Sequence, residues 1–299
     1  MKIVTLSDLH LIITNPQSRK DNLVETQFEK LTFVLDYVKK NDAVLVLPGD
    51  IFDTPRSWYL LPKIAELLQG LRVLCVYGQH DTYYYNVTTR HATILGVLDK
   101  AGLVTILGKV PLVVGDIAFY GASITEPVPE IEDINQMNVL VTHAPISDTA
   151  LYSTQEYINA EKFLDSLDFN LILCGDIHRK FSIQKENKII LNSGPLLRIE
   201  STEYNMKHKP GVWAIDTETR KVEFIEVPHK PSEEVLTRHH IVTPQEIKET
   251  MNDFISILHK KGDAKSEKKN LKDKIIEYFD HHEIEEPVRE LFSQLIHKG

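Results

Sequence analysis

Apolar residues recur along this chain with two periods. Short apolar runs at 3–6, 43–47 and 71–76 have the length and composition of strands. Between them Phe28, Leu31, Val34, Leu35 and Val38 recur at helical spacing within 25–40, and 59–68 and 89–100 read as two further helices. Alternation of strand and helix predicts an α/β core. From Val104 the texture changes. Strands are predicted at 110–114, 117–120 and 139–142, then at 171–174, 181–184 and 188–191, and 212–216 with 222–227 read as a hairpin around 217–221. The natural architecture is a two-sheet α/β sandwich flanked by helices.

Pro228 and Pro231 flank His229 and Lys230 at a boundary where the strands stop. Beyond it 244–261, 268–280 and 285–297 read as helices, with a charged connector at 262–269. The expected organisation is a domain at 1–228 and a helical C-terminal appendage at 229–299. The apolar stripes of those helices must be buried on one another, on the core or on a partner.

The chain has 299 residues, 42% of them hydrophobic, enough to bury a sizeable core. Its net charge of −9 is not the footprint of a protein held to nucleic acid by charge alone. A nucleic-acid substrate would need bound cations or a local basic surface. Cys75 and Cys174 sit inside apolar runs and read as buried free thiols, which suits a reducing cytoplasm. No run approaches the roughly 20 apolar residues of a membrane span, and the first residues enter a strand pattern with no signal-peptide architecture. A soluble, cytoplasmic protein is expected.

The chemistry lies where strands end. Asp8 and His10 follow the first strand and Asp50 the second, Gln79, His80 and Asp81 follow the third, His143 follows 139–142, and Asp176 and His178 follow 171–174. Ligands of α/β sheets bind outside the carboxyl ends of strands, so these clusters should converge on one crevice. Carboxylates and imidazoles without thiolates suit divalent Mn, Mg, Fe or Zn. Asp8 and His10, as alternate residues of an extended segment, would reach one ion, and a central carboxylate could bridge two. Glycines before Asp50, Gln79 and Asp176 would allow sharp turns.

Asp8-x-His10, Gly49-Asp50-x-x-Asp53, Gly78-Gln79-His80-Asp81, Thr142-His143 and Gly175-Asp176-x-His178 resemble the five motifs of the calcineurin-like metallophosphoesterases. The finer texture, Ser7-Asp8-Leu9-His10, Gly49-Asp50-Ile51-Phe52-Asp53 and Asn192-Ser193-Gly194-Pro195, resembles the SbcD-type DNA repair nucleases over roughly residues 1–228. The resemblance implies two divalent ions, with manganese favoured. Asp8, His10 and His178 would hold the first, Asp50 would bridge, and Gln79, His143 and Asp176 would face the second. His80 would contact the phosphate and assist the leaving group, with Asp53 orienting it. The family has Asn at the position of Gln79 and His at that of Asp176, so both departures fall on the second metal. The resemblance also implies DNA as substrate and an SbcC-type ATPase as partner, docked on helices after the nuclease domain. A homodimer is compatible with it.

Other readings stay open on the residues alone. Asp53 could be a turn or helix-capping residue before Thr54-Pro55. Tyr83, Tyr84 and Tyr85 could stack on bases or pack inward. Arg56 and Arg179, beside motifs, could bind phosphate or form surface ion pairs. The same fold serves phosphatases and small-molecule phosphodiesterases, and Gln79 with Asp176 would suit a scaffold that has lost catalysis.

Overall fold

The computed structural model describes residues 1–132, 137–150 and 156–238. The helices predicted at 244–261, 268–280 and 285–297 lie outside the described residues. The chain divides into two units, Met1–His240 and Ile241–Gly299, and the first holds both six-stranded sheets.

Its first half alternates strand and helix: β1 (Lys2–Thr5), α1 (Leu23–Lys40), β2 (Val44–Leu47), α2 (Leu61–Leu68), β3 (Val73–Cys75), α3 (Ile94–Lys100) and β4 (Thr105–Ile106). Strands then dominate: β5 (Leu112–Val114), β6 (Ile117–Ala122), β7 (Met137–Ala144), β8 (Ile146–Ser147) and β9 (Ile158–Asn159). After α4 (Ala160–Ser166) come β10 (Leu171–Asp176), β11 (Lys180–Lys185), β12 (Lys188–Ser193), α5 (Glu203–Lys207), β13 (Gly211–Asp216), β14 (Val222–Glu226) and α6 (Ser232–Val235). One six-stranded sheet has the order β14-β13-β1-β2-β3-β4, and the other β11-β12-β10-β7-β6-β5. In the first, β1 to β4 are parallel and the β13–β14 hairpin adds antiparallel at the β1 edge. In the second, β12, β10, β7 and β6 are parallel and antiparallel strands close both edges.

Alternation along each strand builds the layers. In β2, Val44 and Val46 enter the cluster between the sheets, which also takes Ile3, Phe119, Val139, Val141, Leu171 and Leu173. Leu45 and Leu47 face the other way, into a cluster with α1, α2 and α3. Ile172 and Cys174 of β10 join Ala160 and Leu164 of α4 on the outer face of the second sheet. Strands buried on both faces explain the unbroken apolar runs of the sequence. Cys75 and Cys174 are free and buried, as expected.

The expected helix at 89–100 is broken at Thr93. A 3-10 stretch at Val87–Ala92 ends there, and extended Thr93 caps α3 by accepting from Gly96 N. α4, β4 and α5 were too short to show a period. The described segment after β14 stays on this unit: Lys20 N donates to Val235 O and Thr237 N to Ser18 O.

The buried face of α1 carries two polar residues among its aliphatics. Gln27 is satisfied by Ile12, accepting from its N–H and donating to its carbonyl, 2.9 Å each. Lys30 donates to Leu196 O at 3.1 Å. Burial, and then the Arg198 and Arg19 charges, push its ammonium from an ordinary 10.5 down to about 7, against the pull of Asp21. A group whose folded pKa is depressed gives its full stability above the unfolded value and loses it as pH falls through the folded one. Lys30→Met should therefore gain stability relative to wild type at about pH 6 compared with about pH 9, read by denaturant unfolding in a chloride buffer. A difference independent of pH would contradict this.

Candidate metal centre

The parallel strands of both sheets end at one crevice. β1 delivers Asp8 and His10, β2 Asp50, and β3 Gln79 and His80, while His143 lies near the end of β7, Asp176 ends β10 and His178 follows it. The expected extended segment at Asp8 and His10 is not what forms. Both residues have left-handed backbone, φ 52° and 42°, as do Asp50 at 48° and Asp176 at 97°. The chain turns at each of them, and the turns aim short side chains inward. Such conformations cost about 1–3 kcal/mol each in non-glycine residues, so surrounding bonds must hold them.

Those bonds come from residues that motif reading left without a role. Asp81 is fully buried and accepts from Ile51 N, Phe52 N and Gly78 N at 3.1 Å each, joining the loops after β2 and β3. Burial and the Asp50 carboxylate push its acid up to about 7 against these amides. Ser7 N donates to Ser193 Oγ at 2.8 Å, and Asn192 Nδ2 to Ile177 O at 2.9 Å, tying the first and last loops together. Side chains are excluded where backbones meet: a Cβ on Gly49 would overlap the His143 ring, and one on Gly78 the Asp50 carboxylate. Gly49, at φ 85°, needs glycine for its backbone as well.

The side chains gather in overlapping clusters. Asp8, His10 and His178 form one cluster with all ligand atoms within 4.8 Å of one another, and Asp8, Asp50 and His143 form another. His10 Nε2 and His178 Nε2 lie 3.1 Å apart. Asp50 Oδ2 stands between the halves, 3.7 Å from His10 Nε2 and 3.4 Å from His143 Nε2. Each buried carboxylate has one oxygen engaged: Asp8 Oδ1 accepts from Asp176 N at 3.0 Å and Asp50 Oδ1 from His80 N at 2.8 Å. The other oxygens, Asp8 Oδ2 and Asp50 Oδ2, are buried with no hydrogen-bond partner. Buried carboxylate oxygens without hydrogen-bond partners, in a crevice shared with three imidazoles, fit divalent cations.

The second half differs. Gln79 Nε2 donates to Asp176 Oδ1 at 2.8 Å, and Gln79 Oε1 lies 2.8 Å from His143 Nε2. The longer amide thus spans the two residues that would face the second ion. His143 Nδ1 donates to Pro48 O at 2.7 Å, which turns Nε2 toward the carboxylates. The orientation expected of Asp53 toward His80 comes from its main chain: His80 Nδ1 donates to Asp53 O at 2.9 Å. The half-exposed Asp53 carboxylate lies 4.0 Å from His10 Nδ1 and within 4.8 Å of a His80 ring nitrogen.

The field polarises the imidazoles in opposite senses. Burial holds His10 down to about 3, with His178 and His80 adding to it against Asp50. Burial also opposes charge on His143, but Asp50, Asp8 and Asp176 outweigh it and raise it to about 10. Burial raises Asp8 despite His178 and His143. It works against Asp50 too, where His143, His10 and the His80 amide hold the carboxyl low.

Farther out, Tyr83 is half-buried beneath the Arg56 guanidinium, 5.1 Å from its ring centre. Tyr84 and Tyr85 are exposed, with φ of 54° and 55°, and the Tyr85 ring centre is 6.4 Å from that of His80. Arg179 donates to Thr149 Oγ1 at 2.8 Å and lies over Tyr204.

Asp8→Asn keeps an acceptor for Asp176 N and removes the buried charge. Ion binding should be lost at this half of the centre, read by calorimetric titration with Mn. Unfolding stability in chelator should stay within about 1 kcal/mol of wild type or rise. Full ion stoichiometry in this variant would remove Asp8 from the ligand set.

A family model for calcineurin-like phosphoesterases matches residues 1–180. The DNA double-strand break repair protein Mre11 of Haloferax volcanii is 27% identical over 254 residues, covering 76% of this chain and 54% of that protein. The chain thus spans about half the length of that curated relative. Solved structures with a similar fold include a novel archaeal phosphodiesterase, 13% identical, TM-score 0.43, covering 76% of this chain and 100% of that one. A putative 5′-nucleotidase from Staphylococcus aureus is 14% identical, TM-score 0.43, covering 84% and 58%. Among the described residues no helix is long and apolar enough to cross a membrane. Because the family match takes in more than half of the chain and every loop that supplies the clustered carboxylates and imidazoles, the chain belongs to the calcineurin-like phosphoesterase family.

Proposed function

We propose that this chain hydrolyses phosphodiester bonds in DNA with two divalent ions, manganese being the metal of choice. The observation that carries the reading is the gathering of Asp8 and Asp50, each with one buried oxygen that has no hydrogen-bond partner, with the imidazoles of His10, His143 and His178. Asp8, His10 and His178 would hold the first ion and Asp50 would serve both. His143 and Asp176 would face the second, together with Gln79, whose amide here hydrogen-bonds to both of them. When bound, such ions supply an ionised water at neutral pH and offset charge on the phosphate. The similarity to an archaeal protein named for DNA double-strand break repair supports DNA as the substrate.

The protein's own part is proton handling and positioning. A carbonyl only accepts, so the bond to Asp53 O keeps the proton on His80 Nδ1 and leaves Nε2 to exchange one with the leaving oxygen. The His80 amide, held on Asp50 Oδ1, fixes that ring beside His10, the ring centres 4.6 Å apart. Arg56 and Arg179 supply local positive charge to a chain that is acidic overall.

His80→Ala should retain both ions by calorimetry with Mn and lose turnover by a factor on the order of 10²–10⁴. Collapse of ion affinity would make His80 a ligand instead. Wild type should cleave linear DNA in preference to a nucleoside 2′,3′-cyclic phosphate or a phosphopeptide. The reverse order would replace the nuclease reading with that of a small-molecule phosphodiesterase or phosphatase.

For the C-terminal region the proposed role is docking to an SbcC-type ATPase. Because residues 232–238 pack on the catalytic unit, truncation after Arg238 is the informative cut. It should spare Mn binding and abolish capture of the ATPase, and retained capture would refute the role.

A further inference from the structure

Beneath the N-terminal half of α1, away from the clustered metal-ligand residues, three cations are buried together. Arg19, Lys30 and Arg198 are 7%, 4% and 3% exposed. One carboxylate is paired among them: Asp21 accepts from Arg19 Nε and Nη2, 2.8 Å each. Arg19 Nη1 donates to Arg198 O at 2.9 Å, so each nitrogen of this guanidinium has a partner. The other two cations hold donors in reserve. Lys30 Nζ makes a single hydrogen bond, to Leu196 O. Arg198 gives Nη2 to Lys230 O, and its buried Nε has no partner among the described residues.

All three cations line a cavity of about 540 Å³. The N-terminus of α1, capped by Asn22, opens onto the same cavity and adds positive potential. The acids at hand are few and exposed: Glu25 and Glu29 at the rim, with Glu233 near Arg198. Mutual repulsion and burial depress both Lys30 and Arg198. Water entering the cavity would satisfy the spare donors but not the charge, and a buried cation without a counter-charge is costly.

We propose that this cavity binds a phosphate-class oxyanion, gripped by Lys30 Nζ and the Arg198 guanidinium, with Arg19 and the start of α1 supplying further positive charge. Charge-assisted bonds from a lysine and an arginine are the ordinary grip on such a group. The cavity has room for more than a bare phosphate, so free phosphate and the phosphate of a nucleotide are both candidate sources.

The test uses the full chain in chelator, so that the metal centre takes no part. Inorganic phosphate and thymidine 5′-monophosphate are titrated separately, followed by thermal unfolding and calorimetry. Wild type should bind saturably, with the melting temperature rising by about 2–4 °C at about five times the Kd. Lys30→Met should fold, since it removes a buried and repelled charge, and should lose the response. Arg198→Lys should weaken binding at least tenfold, and Glu29→Gln should tighten it. Nucleotide binding at least tenfold tighter than phosphate would assign the site to a phosphomonoester, and equal binding to free phosphate. No saturable binding, or a response unchanged in Lys30→Met, would overturn the proposal.

Discussion

Two buried carboxylates, each with one oxygen bonded and one orphaned, set the terms for the rest of this protein. Asp8 and Asp50 stand in the same crevice, and the Asp50 charge opposes ionisation of Asp8. His178 and His143, on two other loops, favour the charged form of Asp8, and His143 is drawn toward its own charged form for the same reason. A divalent cation answers the same need with a denser charge. The centre is therefore a site of stored electrostatic tension that bound metal relieves, on a fold whose remaining parts keep the anions from moving apart.

Holding them takes backbone as much as side chain. Asp8, His10, Asp50 and Asp176 sit in left-handed conformations that would relax if the loops were free. Asp81 staples the β2 and β3 loops through three amides, and Asn192 with Ser193 ties the β1, β10 and β12 ends. Gly49 and Gly78 let these loops approach to distances that any side chain would forbid. The cost of the strained turns is offset by a core that is packed on both faces of both sheets.

The centre is not symmetrical in its readiness. Its first half presents Asp8, His10 and His178 to one another directly. Its second half is bridged by Gln79, whose amide occupies both His143 and Asp176. The extra methylene of glutamine gives it that span. In this chain the two halves therefore start from different hydrogen-bonded states, His10 and His178 on each other in the first and Gln79 on His143 and Asp176 in the second.

Much of this was legible in the residues. The two periods of the apolar pattern showed an α/β sandwich, because strands buried on both faces must be continuously apolar and α1 must show one wet side. The order of Asp and His after successive strands marked the site, because parallel strands bring their carboxyl ends to one edge. Short elements such as α4 and β4 escaped, since a few residues carry no period. Tertiary structure alone decided how each side chain is held. Asp53 turned out to orient His80 through its carbonyl rather than its carboxylate, and Asp81 to join two loops rather than touch the reaction. Arg19, Lys30 and Arg198, dispersed in sequence, became one buried cluster. Residue type and order record what a side chain can do, but which partner it meets depends on backbone turns and on contacts between residues remote in the sequence, and those exist only once the sheets have packed.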